Sequence, residues 1–152
     1  MGSLSEILGR AQARAREKGL PYAGSLTPEE AYKVLELAPV ARLVDVRSRA
    51  EWELVGHVPG AAHIEWAFYP GMTPNPDFLA QLTMQVDKEA LVMFLCRTGA
   101  RSHNAAALAA QAGYAESYNI LEGFEGETDY VANQRGNLNG WRKAGLPWTN
   151  IG

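Results

Sequence analysis

Cysteine is nearly absent: Cys96 stands alone among 152 residues. No internal disulfide framework can hold such a chain, and no dithiol redox cycle can run within it. A lone thiol suits a reducing compartment, so a cytoplasmic location is expected. Histidine is sparse, and His57, His63 and His103 lack the close pairing of a zinc site. Neither a metal nor a cofactor is expected. No apolar run approaches a membrane span, and residues 3–18 are too charged for the core of a signal peptide. A formal net charge of -3 gives no basic excess toward nucleic acid or an anionic membrane, so neither is an expected partner. Internal repeats and low-complexity tracts are missing as well. What remains is 47% hydrophobic and 20% charged, an ordinary composition for one domain that buries a full core.

Residues 4–18 place Leu4, Ile7, Leu8, Ala11 and Ala15 at helical spacing opposite Arg10, Arg14 and Lys18. This predicts an N-terminal helical extension over about residues 1–20, packed on the outside of a domain spanning 21–152. Thr27-Pro28-Glu29-Glu30 combines an N-cap, a proline at the first helical position and a capping-box glutamate, which predicts a helix to about Leu37. Strands are expected over Arg42–Val46, Ala61–Ile64, Leu91–Leu95 and Glu116–Leu121. Helical segments are expected over Arg49–Leu54, Asp77–Val86, the alanine-rich run Asn104–Ala112, and a short stretch from Trp141 that stops at Gly145. Residues 65–76 read as irregular. Strands alternating with helices point to an α/β domain with a mostly parallel sheet covered on both faces.

The run Leu91–Leu95 ends on Cys96, and Arg97-Thr98-Gly99-Ala100-Arg101 leads into the alanine-rich helix. A cysteine where a buried strand meets a helix N-terminus lies among free backbone N–H groups. An ordinary thiol titrates near about 8.5, and a helix N-terminus with neighbouring cations lowers that value. Gly99 lets successive amides converge into a nest. Arg97, Arg101 and His103 crowd the positive end of the helix dipole, an unfavourable placement that an anion in the loop would relieve. The loop therefore reads as an anion-binding turn with a nucleophile in it.

Three motifs in order resemble the rhodanese-like domains over about residues 24–150. Leu43-Val44-Asp45-Val46-Arg47 with Glu51-Trp52 and Gly56-His57-Val58-Pro59-Gly60-Ala61 looks like the first signature. Cys96-Arg97-Thr98-Gly99-Ala100-Arg101 looks like the active-site loop, and Gly145-Leu146-Pro147-Trp148 like the closing motif; Leu121-Glu122-Gly123 also matches. The resemblance implies a three-layer α/β/α sandwich around about five strands. It also implies a sulfurtransferase in which Cys96 takes sulfane sulfur from thiosulfate or a persulfide and passes it to cyanide or a thiol. A protein donor or acceptor, in a relay module with little turnover, is the alternative. Phosphatase and arsenate reductase relatives space cysteine and arginine as C-x5-R, whereas Cys96 and Arg101 are C-x4-R. The shorter loop is the sulfurtransferase pattern.

Cys96 is thus the candidate nucleophile, with Arg97, Thr98, Gly99, Ala100 and Arg101 as the substrate cradle. Asp45 and Arg47 lie on one side of a strand end, where they can pair with each other or with the cysteine loop. Glu51 is a departure, because a basic residue binds the anionic donor at this place in the two-domain thiosulfate enzymes. His57 is read as a turn residue bonding the backbone and His103 as solvent-exposed. An insertion over about residues 124–140 leaves the same sheet edge as Cys96 and is a candidate lid.

Overall fold

The structure is a computed structural model that describes residues 2–126 and 139–150. Five strands form one parallel sheet: β1 (Gly24–Leu26), β2 (Arg42–Asp45), β3 (Ala62–His63), β6 (Val92–Leu95) and β7 (Ser117–Ile120), in the order β1-β7-β6-β2-β3. A second, two-stranded sheet pairs β4 (Ala67–Phe68) with β5 (Thr73–Pro74). Helices α1 (Leu4–Lys18) and α2 (Pro28–Leu37) cover one face of the main sheet. On the other lie α4 (Phe78–Gln85) and α5 (Ala100–Gln111), and α3 (Arg49–Leu54) joins β2 to β3.

Strand alternation builds the two cores. Along β6 and the residue after it, Met93 and Leu95 face the α1/α2 side while Val92, Phe94 and Cys96 face α4 and α5. All five are at most 1% exposed. A central strand buried on both faces reads as an unbroken apolar run, as this one does. Each large apolar side chain buried this fully contributes about 1.5–3 kcal/mol.

The N-terminal helix belongs to this core. Ser3 and Glu6 close a capping box, Gly19 ends the helix at φ 62°, and Ile7, Ala11 and Ala15 are buried. Its small residues let the helix approach β1 closely: a Cβ on Gly24 would lie 2.7 Å from the Ala11 carbonyl carbon. Two of its cations are committed to Glu30 of α2, with Arg14 at 2.6 and 3.0 Å and Arg10 at 3.2 Å. Burial would raise the Glu30 carboxyl, but Arg14, the Thr27 amide and Arg10 outweigh it and hold it at about 2.

One strand is not among those expected, and two segments differ from expectation. Residues 24–26 form an edge strand, held by pairing with β7 rather than by any local pattern. The stretch read as irregular contains the β4–β5 hairpin. The segment from Trp141 is a turn, with Ala144 N–H on the Gly140 carbonyl and Gly145 at φ 76°. So short a run before Pro147 has too few bonds to overcome helix nucleation. The tail beyond it pairs back on the first motif, His57 and Thr149 exchanging both backbone bonds at 2.7 and 2.8 Å.

Candidate active site at the Cys96 loop

Cys96 follows β6 at the C-terminal edge of the sheet. From β2 the chain steps to β3 on one side and later to β6 on the other, so the order reverses beside Cys96. Ligands of open α/β sheets bind at such switch points. Gly99, with φ 110°, is the N-cap of α5, which starts at Ala100 rather than Asn104. The loop is therefore only three residues long, and Arg101 and Ser102 fall in the helix's first turn, where amides lack intrahelical partners.

The sulfur already has donors. The Gly99 N–H reaches Sγ at 3.0 Å and the Ser102 hydroxyl lies 3.3 Å from it. Ser102 Oγ is also 2.5 Å from Asn119 Oδ1, while Asn119 Nδ2 donates to the Gly99 carbonyl at 3.4 Å. One hydroxyl proton is thus shared between the thiol and an amide oxygen on β7. Asn119 also holds the residue that caps the helix.

Residues 121–126 clamp the loop from behind. Phe124 N–H donates to the Cys96 carbonyl at 2.8 Å, and Glu125 and Gly126 donate to that of Arg97 at 3.0 and 3.3 Å. These bonds hold the loop in the shape in which the Gly99 N–H meets the sulfur. The clamp requires glycine at 123, because a Cβ there would lie 2.5 Å from the Arg97 carbonyl group.

In front of the loop, Arg97, Thr98 and Arg101 line a cleft of about 600 Å³ with Glu51, Leu54, Tyr69 and Met72. Glu51 closes a capping box with Ser48 at the start of α3 and also accepts two bonds from Arg101, at 2.7 and 2.8 Å. Burial would raise the Glu51 carboxyl, but the Arg101 bonds and charge, with help from Ser48, bring it down to about 2. Burial would lower the Arg101 guanidinium; Glu51, Cys96 and Asp45 raise it above its ordinary value. Gly99 and Ala100 line a separate cleft on the α1 side.

Asp45 and Arg47 do not line either cleft. Both are 0% exposed. Arg47 Nη2 bonds Asp45 at 2.7 Å and the Gly56 carbonyl at 2.6 Å, and the guanidinium lies 4.2 Å from the centre of the Phe124 ring. Of the pairings open to them, they make the one with each other, and they tie β2 to the turn before β3 beneath the site. His57 Nδ1 lies 3.3 Å from the Trp52 carbonyl, and the Trp52 indole is sandwiched between the His57 and His63 rings at 4.1 and 4.5 Å. His103 is half-buried rather than free, its Nδ1 2.7 Å from the Tyr22 hydroxyl. Most of the insertion, residues 127–138, and with it the expected lid, lies outside the described residues; its ends meet where Gly126 packs on Asn139. Ser102 and Asn119 escaped sequence reasoning. Ser102 follows Arg101 directly, but only the helix's early start turns it toward the sulfur.

The model of the rhodanese-like domain matches residues 27–129. The chain belongs to the rhodanese-like domain family. Among solved structures, Rv0390 from M. tuberculosis is 43% identical, covering 86% of this chain and 99% of that one with a TM-score of 0.79. An uncharacterized Rickettsia conorii protein is 39% identical over 121 residues, 78% of this chain and 91% of that protein. The thiosulfate sulfurtransferase GlpE of Tolumonas auensis is 33% identical over 98 residues, 64% of this chain and 81% of that enzyme. Relatives therefore include a sulfurtransferase, and the five-stranded parallel sheet is the fold that the family motifs imply. No helix among the described residues is long and apolar enough to cross a membrane.

Proposed function

We propose that this rhodanese-like protein is a sulfurtransferase working through a Cys96 persulfide, in a reducing compartment such as the cytoplasm. The Cys96 thiolate attacks the sulfane sulfur of thiosulfate or of an organic persulfide. The donor's S–S bond breaks, and sulfite or a thiolate leaves with its electron pair. Cyanide or an acceptor thiolate then attacks the outer sulfur, and the electrons of the Cys96 S–S bond return to the cysteine. One cysteine suffices for this cycle.

The observation that carries the reading is the Gly99 N–H on Sγ at the mouth of a three-residue loop. Donors aimed at the sulfur stabilise the thiolate, and the first-turn amides of α5, which lack intrahelical partners, are donors that an anionic outer sulfur of a persulfide could use. The C-x4-R spacing leaves a loop one residue too short to encircle a phosphate in the manner of the phosphatase relatives. Mass spectrometry after thiosulfate treatment should show one added sulfur on Cys96, removed by cyanide as thiocyanate and absent in Cys96→Ser. An unmodified Cys96 under both thiosulfate and persulfide donors would overturn the reading.

A further inference from the structure

Of the two cations that line the cleft, the one on α5 already has a partner. Both Nη atoms of Arg101 are held by one carboxylate, that of Glu51, and the two side chains are 19% and 17% exposed. A pair so far from bulk water is weakly screened by salt. An oxyanion entering the cleft must either displace Glu51 from Arg101 or sit beside a pair whose net charge is zero. Arg97 is the remaining cation at the mouth, with no ion-pair partner among the described residues. The opposite rim is apolar and open to solvent, with Leu54 83%, Tyr69 68% and Met72 41% exposed. The cleft they enclose, about 600 Å³, is far larger than a thiosulfate ion requires.

On the sulfurtransferase reading above, we propose that Glu51 is a specificity-determining residue that neutralises Arg101, selecting against oxyanion donors such as thiosulfate and for organic persulfides whose carbon body lies on Leu54, Tyr69 and Met72. Glu51 does not touch the sulfur; it acts through Arg101. The same carboxylate caps α3 through Ser48, and glutamine serves equally at that capping position. Glu51→Gln therefore removes the charge while keeping the helix start.

The test compares wild type, Glu51→Gln and the charge-conserving Glu51→Asp, each with a thermal melt. The donors are thiosulfate and an organic persulfide without charge on its carbon body. Freeing Arg101 should lower the KM for thiosulfate about tenfold in Glu51→Gln, the scale of one close charge pair. Its KM for the organic persulfide, which carries one charge on sulfur and no oxyanion, should fall far less, so the ratio of the two KM values is the readout, and Glu51→Asp should keep the wild-type preference. Calorimetric titration of thiosulfate into Cys96→Ser, with and without Glu51→Gln, should show the same gain in affinity without turnover. Equal thiosulfate KM and affinity in folded Glu51→Gln, or an equal change for both donors, would overturn the role of Glu51. If no donor loads Cys96 in any of these proteins, sulfur transfer fails as the function, whereas a titration that still shows tighter thiosulfate binding would support the charge selection by itself.

Discussion

The clamp behind the cysteine loop is open to a quantitative test through Gly123→Ala. At φ 64° an alanine costs about 1–2 kcal/mol in the left-handed region. Its Cβ would also lie 2.5 Å from the Arg97 carbonyl group and 2.6 Å from the Cys96 oxygen. These are backbone atoms, so relief comes only by parting the loop from residues 121–126. Parting them forfeits the bonds from Phe124 and Glu125 to those two carbonyls, at about 1 kcal/mol each. The expected loss is about 3–4 kcal/mol, a large share of the roughly 5–15 kcal/mol that holds a domain folded. Gly19 provides the control: it has nearly the same φ, 62°, and nothing within 4 Å of its would-be Cβ. Gly19→Ala should therefore cost only the conformational part, about 1–2 kcal/mol. Urea unfolding measures both, and sulfur loading of Cys96 in the folded Gly123→Ala protein should fall as the loop amides turn away. If Gly123→Ala unfolds no more easily than Gly19→Ala and loads sulfur normally, the clamp does not shape the site.

Arg47→Met leaves the Asp45 carboxylate buried without its partner and should destabilise the protein by about 3–5 kcal/mol in urea. Ser102→Ala removes a hydroxyl 3.3 Å from Sγ and should slow alkylation of Cys96 by iodoacetamide several-fold at neutral pH; because it also leaves the buried Asn119 Oδ1 without its donor, it should cost about 1–3 kcal/mol of stability. Stability should also fall in acid with a defined sign. Glu30 and Glu51 sit near 2 in the folded protein against 4.5 as the ordinary value. The unfolded chain thus binds more protons in that window, and the stabilisation they contribute, complete above about pH 5, is lost progressively as pH falls toward 2. Melting temperatures across this range should decline in wild type and decline less steeply in Glu51→Gln.

Local chemistry reached far into this fold. The Thr27 capping box, the apolar run of β6 and the Gly99 turn depend on neighbours a few residues away, so their residue types alone announced a helix, a buried strand and a tight turn into a helix. The order of the motifs then named the family, and the count from Cys96 to Arg101 pointed to sulfur rather than phosphate. Other features depend on pairings that spacing does not encode. Strand β1 is three residues that gain their hydrogen bonds only from β7. The short stretch after Gly140 had the residues for a helix but no length to sustain one. Glu51 was visible as a departure, yet its partner Arg101 lies fifty positions away. Asn119 reaches Ser102 only because β7 lies beside β6.

The sequence by itself therefore determined the turn from β6 through Cys96 and Gly99 into α5, because it is built from contiguous residues whose backbone preferences act locally. Only the tertiary structure decided the charge of the cleft. Arg101 looks like a free cation along the chain, and packing α3 against the start of α5 sets a carboxylate on it at hydrogen-bond distance. Electrostatic character at a site is a sum over residues brought close by folding, and that sum has no counterpart in their order.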